Sequence, residues 1–215
     1  MLHSIVEKLS DHPGLFLFAR GILEDNFKAI HRTIREQLSM KPGHKVLDVA
    51  CGPGAFSVLF DPEGYFGVDI NHRYINYAKR HYAGSFQVMD VRNLEFEESS
   101  FDEALVFGLL HHLSDEDAAR VIGGLSRVLK PGGRVLVIED IPTESKLNLI
   151  GRLLHWVENG HFIRHSEGYR RLLLPHLQLK DEQIFRSGIC DYYMASLDME
   201  RPSRSSTPAE SSPDP

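Results

Sequence analysis

The chain has 215 residues, the size of one domain with some decoration, and 42% of them are hydrophobic, enough to bury a full core. A formal charge of -6 and an isoelectric point near 6.0 argue against a general nucleic-acid binder, which carries a basic face. Two cysteines, Cys51 and Cys190, build no disulfide framework, and no apolar run approaches the ~20 residues of a membrane span. A cytoplasmic protein is the expectation.

In chain order, the residues up to Ser10 alternate apolar and charged in a helix-like way, and Asp11, His12, Pro13 and Gly14 read as a turn. LFLFA, Leu15 to Ala19, is too short for a signal-peptide core and is broken by Arg20. Phe27, Ile30, Ile34 and Leu38 recur at three- and four-residue steps, which predicts an amphipathic helix over Glu24 to Leu38. Lys41 to His44 then end it.

VLDVACGPGAFS, Val46 to Ser57, is the stretch around which the rest is organised. Val46 to Val49 read as a short buried strand, Ala50 to Gly54 as a tight turn, and Ala55 to Phe60 as a helix-compatible run. Such a unit offers backbone N–H groups to an electron-rich ligand, and Gly52 and Gly54 keep Cβ atoms out of its way. YFGVDIN follows as a second strand ending at Asp69, seventeen positions beyond Gly52. An acid at about that distance closes a βαβ unit and accepts hydrogen bonds from ribose hydroxyls.

A helix over Asn71 to Tyr82 leads to a third strand, Phe86 to Val91, with Asp90 near its end. A fourth strand runs through Phe107 to Gly108, His111 and His112. Ser114 and Asp117 suit a capping box for a helix reaching Leu129, and Lys130 to Gly133 stop it before the fifth strand, RVLVIED. Strands alternating with helices predict a parallel sheet, which binds ligands outside the carboxyl ends of its strands. Asp48, Gly52, Asp69, Asp90, Gly108 and Asp140 all fall there.

Residues 44 to 140 resemble the class I S-adenosylmethionine-dependent methyltransferases. VLDVACGPG resembles their first motif, Asp69 matches the ribose-binding acid, and Asp90 with Val91 matches the pair beside the adenine. GLLHHLSD and VLKPGGRVLV resemble the segments around the fourth and fifth strands, while Ala50 stands where many members carry glycine. The resemblance implies a Rossmann-like, doubly wound α/β sheet of seven mostly parallel strands, the last antiparallel, with helices on both faces. QIFRSGICDYYMASL suits the terminal hairpin. It also implies S-adenosylmethionine as cofactor, S-adenosylhomocysteine as product, and cofactor contacts from Asp48, Ala50, Cys51, Gly52, Gly54, Asp69, Ile70, Asp90, Val91, Phe107 and Gly108.

One domain is expected over 1–200: N-terminal helices to 43, a cofactor-binding core over 44–141, acceptor-covering helices over 142–180, and a hairpin over 181–200. The last fifteen residues, with five serines and four prolines, read as a disordered tail. The expected acceptor is a small-molecule or lipid-like compound, with an anionic group as one option, with no nucleic-acid partner, and the protein a monomer or homodimer. His112, with His111 behind it, is the candidate base, although a histidine beneath the adenine or capping the next helix fits as well. Their adjacency suggests that the two rings point apart. Leu149 to Trp156 suggest an amphipathic cover, and His161, Arg164, His165 and Tyr169 are candidates for holding the acceptor. Two other readings stay open: an NAD(P)-dependent oxidoreductase, whose third loop glycine is replaced here by Ser57, and a non-catalytic methyltransferase-like binder. His161 and His165 invite a zinc reading, but no motif supplies the remaining ligands, so no metal is expected.

Overall fold

The structure, a computed structural model, describes residues 12–142 and 162–199. The expectations for the first ten residues, for Leu149 to Trp156, for His161 and for the terminal tail lie outside the described residues.

Seven strands form one sheet: β1 (Val46–Val49), β2 (Tyr65–Asp69), β3 (Ser85–Val88), β4 (Phe101–Phe107), β5 (Leu129–Asp140), β6 (Gln178–Ser187) and β7 (Cys190–Asp198). Their order is β3-β2-β1-β4-β5-β7-β6, with every pair parallel except those of β7, which runs antiparallel to β5 and to β6. Strand order reverses between β1 and β4, and the crevice above that point is where an open α/β sheet receives its ligand.

Both faces are covered, so central strands are apolar throughout rather than alternating. On β5, Val135 and Val137 pack on one side with α4 (Asp115–Val128) and α5 (Ser166–Leu173), while Leu136 and Ile138 pack on the other with α2 (Lys28–Gln37) and α3 (His72–His81). Helix α3 is capped by Asn71, whose side chain accepts from the Arg73 N–H, and α4 by Ser114, which accepts from the Asp117 N–H.

Three local expectations change. Pro13 and Gly14 do not make a turn; they open α1 (Pro13–Leu23), because proline's fixed φ suits the first helical turn. The helix expected over Glu24 to Leu38 starts only at Lys28, after three successive left-handed residues, Asp25, Asn26 and Phe27. The hairpin explains that break: Gly188 lies against Leu23 and Glu24, Ile189 N–H donates to Leu23 O, and Ser187 Oγ donates to Glu24 O. The run after the glycine loop forms only a 3-10 turn, Ala55–Leu59, before Asp61 to Gly64 return the chain to β2. Smaller shifts follow at strand ends: β3 stops before Asp90, β6 starts at Gln178, and Pro131 to Gly133 lie inside β5 at a register shift.

Candidate active site

A cavity of about 680 Å³ opens above the carboxyl ends of β1, β2, β4 and β5. Its floor is the glycine loop. Ala50 and Gly52 both carry positive φ, 61° and 55°, which turns the chain away from β1 within two residues. Nothing stands within 4 Å of where a Cβ on Gly52 would sit, so that face of the loop is open. Gly54 does otherwise. Its φ is 84° and a Cβ would meet Ala78 and Phe86 at 2.9 Å, so it serves the packing of α3 and β3 and is absent from the cavity wall.

Three buried carboxylates carry the electrostatics, and none has an ion pair among the described residues. Asp48, 1% exposed, accepts from the Tyr65 hydroxyl at 2.6 Å. Burial raises its pKa from 3.8 to about 7; the Tyr65 hydrogen bond opposes this and the Asp69 charge adds to it. Asp69 accepts from the Gly52 N–H at 2.9 Å and the Asn71 N–H at 2.8 Å, tying the loop to the end of β2. Burial raises its pKa too, against those two backbone donors. The third, Asp140, ends β5. Burial first, then Asp48 and Asp69, push the Cys51 thiol up, which favours its neutral form in the cavity lining.

Ile70, 65% exposed, and Tyr74 border the cavity beyond Asp69, and Asp90 and Val91 close that end. Arg92 clamps Asp90 through Nε and Nη2, which holds that carboxyl below its ordinary value. Phe107 and Gly108 lead from β4 into the 3-10 turn Leu110–His112. The fully buried Glu139 governs this turn: its carboxylate accepts from the N–H groups of Leu109, Leu110 and His111 and from His111 Nδ1 at 2.8 Å. Both histidines line the cavity. They do not point apart, since their ring centroids lie 4.0 Å from each other; successive side chains of a 3-10 turn stand about 120° apart, close enough for two imidazoles to meet.

The acceptor-side candidates fare differently. Arg164 donates to Leu110 O, Leu113 O and Phe162 O and pairs with Asp115 at 2.6 Å. Its guanidinium thus laces the turn after β4 and does not line the cavity. His165 precedes α5, and buried Tyr169 donates to Asp140 O at 3.1 Å; neither reaches the wall. The opposite wall is α1 instead, through Phe16, Leu17, Ala19, Arg20 and Leu23. Arg20 pairs with Glu24 and donates to the Tyr192 hydroxyl at 3.1 Å, which itself donates to Glu24 at 2.6 Å. The i, i+4 spacing of Arg20 and Glu24 was visible in the sequence; their common partner on β7 was not.

Residues 46–133 match the family model described as a methyltransferase domain. Over those residues the chain is similar to the class I S-adenosylmethionine-dependent methyltransferases. Over 138 residues the chain is 29% identical to a demethylmenaquinone methyltransferase of Symbiobacterium thermophilum, covering 59% of this chain and 54% of that protein. Over 100 residues it is 36% identical to a tRNA (carboxymethyluridine(34)-5-O)-methyltransferase of Arabidopsis thaliana, covering 46% and 24%. The chain thus spans about half of the one relative and a quarter of the other. Among solved structures, the PH0226 protein of Pyrococcus horikoshii superposes with a TM-score of 0.64 at 23% identity, covering 81% of this chain and 92% of that one; this likeness speaks for the fold. No helix among the described residues is long and apolar enough to cross a membrane, and no group of three or more His, Cys, Asp or Glu among them stands ready to hold a metal.

Proposed function

We propose that the chain transfers a methyl group from S-adenosylmethionine to a small, largely apolar acceptor held in the same cavity. The observation that carries this reading is the open Gly52 loop flanked by Asp48 and Asp69, two buried carboxylates without a cationic partner among the described residues. A cationic ligand suits that charge, so the residues present fit S-adenosylmethionine. When bound, it supplies an activated sulfonium methyl. Asp69 keeps spare lone pairs for ribose hydroxyls, and Ile70, Asp90 and Val91 would flank the adenine. Ala50, Cys51, Gly52, Phe107 and Gly108 would border the rest of the cofactor.

The chain's part in the reaction is alignment and exclusion of water, and orientation alone supplies ~7–11 kcal/mol when the geometry is near-attack. Where the acceptor sheds a proton, His111 and His112 are the groups at hand. Glu139 fixes the ring of His111 through its Nδ1. The acceptor is not anionic on this reading, because unneutralised acids line the cavity and Arg164 is committed elsewhere. Relatives named for a quinone precursor and for tRNA show how widely acceptors vary on one cofactor-binding core. A cytoplasmic setting belongs to the same proposal and rests on the two free thiols.

Calorimetry tests the reading. S-adenosylmethionine and S-adenosylhomocysteine should bind, and Asp69→Ala should weaken both by about 1.5–3 kcal/mol through loss of charge-assisted hydrogen bonds. A preference for a nicotinamide dinucleotide would overturn it, and unchanged affinity in Asp69→Ala would remove the ribose assignment.

A further inference from the structure

Asp140 is a polar group of the cavity whose carboxylate has no partner among the described residues. It is 2% exposed and lines the cavity. Its backbone oxygen accepts from Tyr169, yet its carboxylate has neither hydrogen bond nor ion pair among the described residues. Alternation along β5 sends Glu139 to the α4 side and Asp140 to the opposite face, with Leu136 and Ile138. There it stands across from Tyr192, its register partner on β7, whose ring packs 5.7 Å from that of Phe107. The nearby Arg20 guanidinium pairs with Glu24. A buried carboxylate without a donor is costly, and such groups are retained where a ligand completes them.

The surroundings limit what that ligand is. Phe16, Leu23, Phe27, Phe56 and Phe107 make the nearby wall apolar and largely aromatic. Phe27 and Phe56 meet edge to face at 5.8 Å, and Phe56 meets Phe107 the same way at 4.9 Å. A flat, apolar skeleton fits that wall. Its one polar demand comes from Asp140, which accepts and cannot donate when ionised.

We propose that Asp140 is the acceptor-binding residue, and that the acceptor is a flat apolar molecule presenting a hydroxyl or amino donor to its carboxylate. The proposal deepens the methyl-transfer reading and rests on it for the identity of the neighbouring ligand. Anionic acceptors are selected against at this point, and a methyl ether, which has lost its donor, binds poorly. For a donor atom that is itself methylated once, product release follows from the same contact.

The test uses the full chain and three naphthalene probes of similar size: 2-naphthol, 2-naphthylmethylamine and 2-methoxynaphthalene, each titrated with S-adenosylhomocysteine saturating. At least one donor probe should bind the unaltered protein tenfold or more tighter than the ether. Asp140→Ala should reduce that advantage to threefold or less. Asp140→Asn, which keeps the shape and a neutral acceptor oxygen, should lose the amine's advantage and part of the hydroxyl's. Tightest binding of the amine identifies an ammonium-bearing acceptor, and of the naphthol a phenol-like one. Equal binding of ether and donors, or an advantage that survives in Asp140→Ala, overturns the proposal. So does a fall in S-adenosylhomocysteine affinity matching the loss of probe binding, since Asp140 would then serve the cofactor. Should S-adenosylhomocysteine not bind at all, the methyl-transfer reading fails, and the same titrations without it still decide the donor preference. If Asp140→Ala does not fold, the isosteric Asp140→Asn carries the test through the amine.

Discussion

Ala50 takes a left-handed φ of 61° at the first step of the glycine loop. A Cβ in that region costs ~1–2 kcal/mol, and glycine's extra freedom in the unfolded chain offsets part of the gain from removing it. Ala50→Gly should therefore stabilise the protein by about 0.5–1 kcal/mol in chemical denaturation; a loss of stability would show that the methyl packs usefully. Asp48 makes a second residue-scale prediction. Its folded pKa of about 7 exceeds the ordinary 3.8, so between those values the folded state holds a proton that the unfolded state has lost. Asp48 therefore makes stability fall as pH rises through that window, by at most about 1.4 kcal/mol per pH unit from one proton. Denaturation of Asp48→Asn across pH 4 to 8 should lack this component, and an unchanged slope would place the titration elsewhere. On the methyl-transfer reading, binding the cationic cofactor near pH 7 should also release a proton, read as a binding enthalpy that changes with the buffer.

The turn between β4 and α4 depends on two neighbours distant in sequence. Glu139 gathers its N–H groups from below and Arg164 its carbonyls from above, so both ends of a three-residue 3-10 turn are satisfied by side chains. This gives Arg164 a structural task that its sequence neighbours did not suggest. A side chain 12% exposed and bonded to three carbonyls and a carboxylate is expensive to remove. Arg164→Ala should lower stability by about 2–3 kcal/mol, and Arg164→Lys should recover little, because an ammonium lacks the planar fork. Unaltered stability in Arg164→Ala would return this arginine to the list of acceptor ligands.

At the scale of the whole molecule, the β6–β7 hairpin and α1 assemble one wall of the site between them. Gly188 makes the meeting possible: its φ is 56°, and a Cβ there would lie 2.0 Å from Leu23 O and 2.7 Å from Glu24 Cα. The same junction buries the Arg20–Glu24–Tyr192 cluster and forces the left-handed break before α2. Gly188→Ala should cost about 3 kcal/mol or more, from strained backbone plus displaced helix, and should loosen the α1 wall. A melting temperature within a degree or two of the unaltered protein would mean the hairpin docks less tightly than the geometry indicates.

The sequence by itself determined the sheet's central strands, the glycine loop and the acids at strand ends, because these are local. Val46 to Val49 and the PGG before RVLVIED announce themselves through hydrophobic runs and turn residues, and Asp69 through a fixed spacing from Gly52. A helix over Asn71 to Tyr82 was legible too, and α3 spans His72–His81. Only the tertiary structure decided the wall of the cavity facing the glycine loop. Whether Arg164 faced a ligand or a ring of carbonyls turned on Leu110 and Leu113, some fifty residues earlier. Whether Glu24 began a helix or a buried cluster turned on Tyr192, 168 positions later. Gly54 looked like a loop glycine that clears a ligand, yet the atoms it clears belong to Ala78 and Phe86. Glu139 and Asp140 are adjacent acids in the sequence; the pleat of β5 sends one to the histidine turn and the other to the cavity. Side-chain partners across a sheet depend on strand order and register, and neither is written in the spacing of residues along one strand.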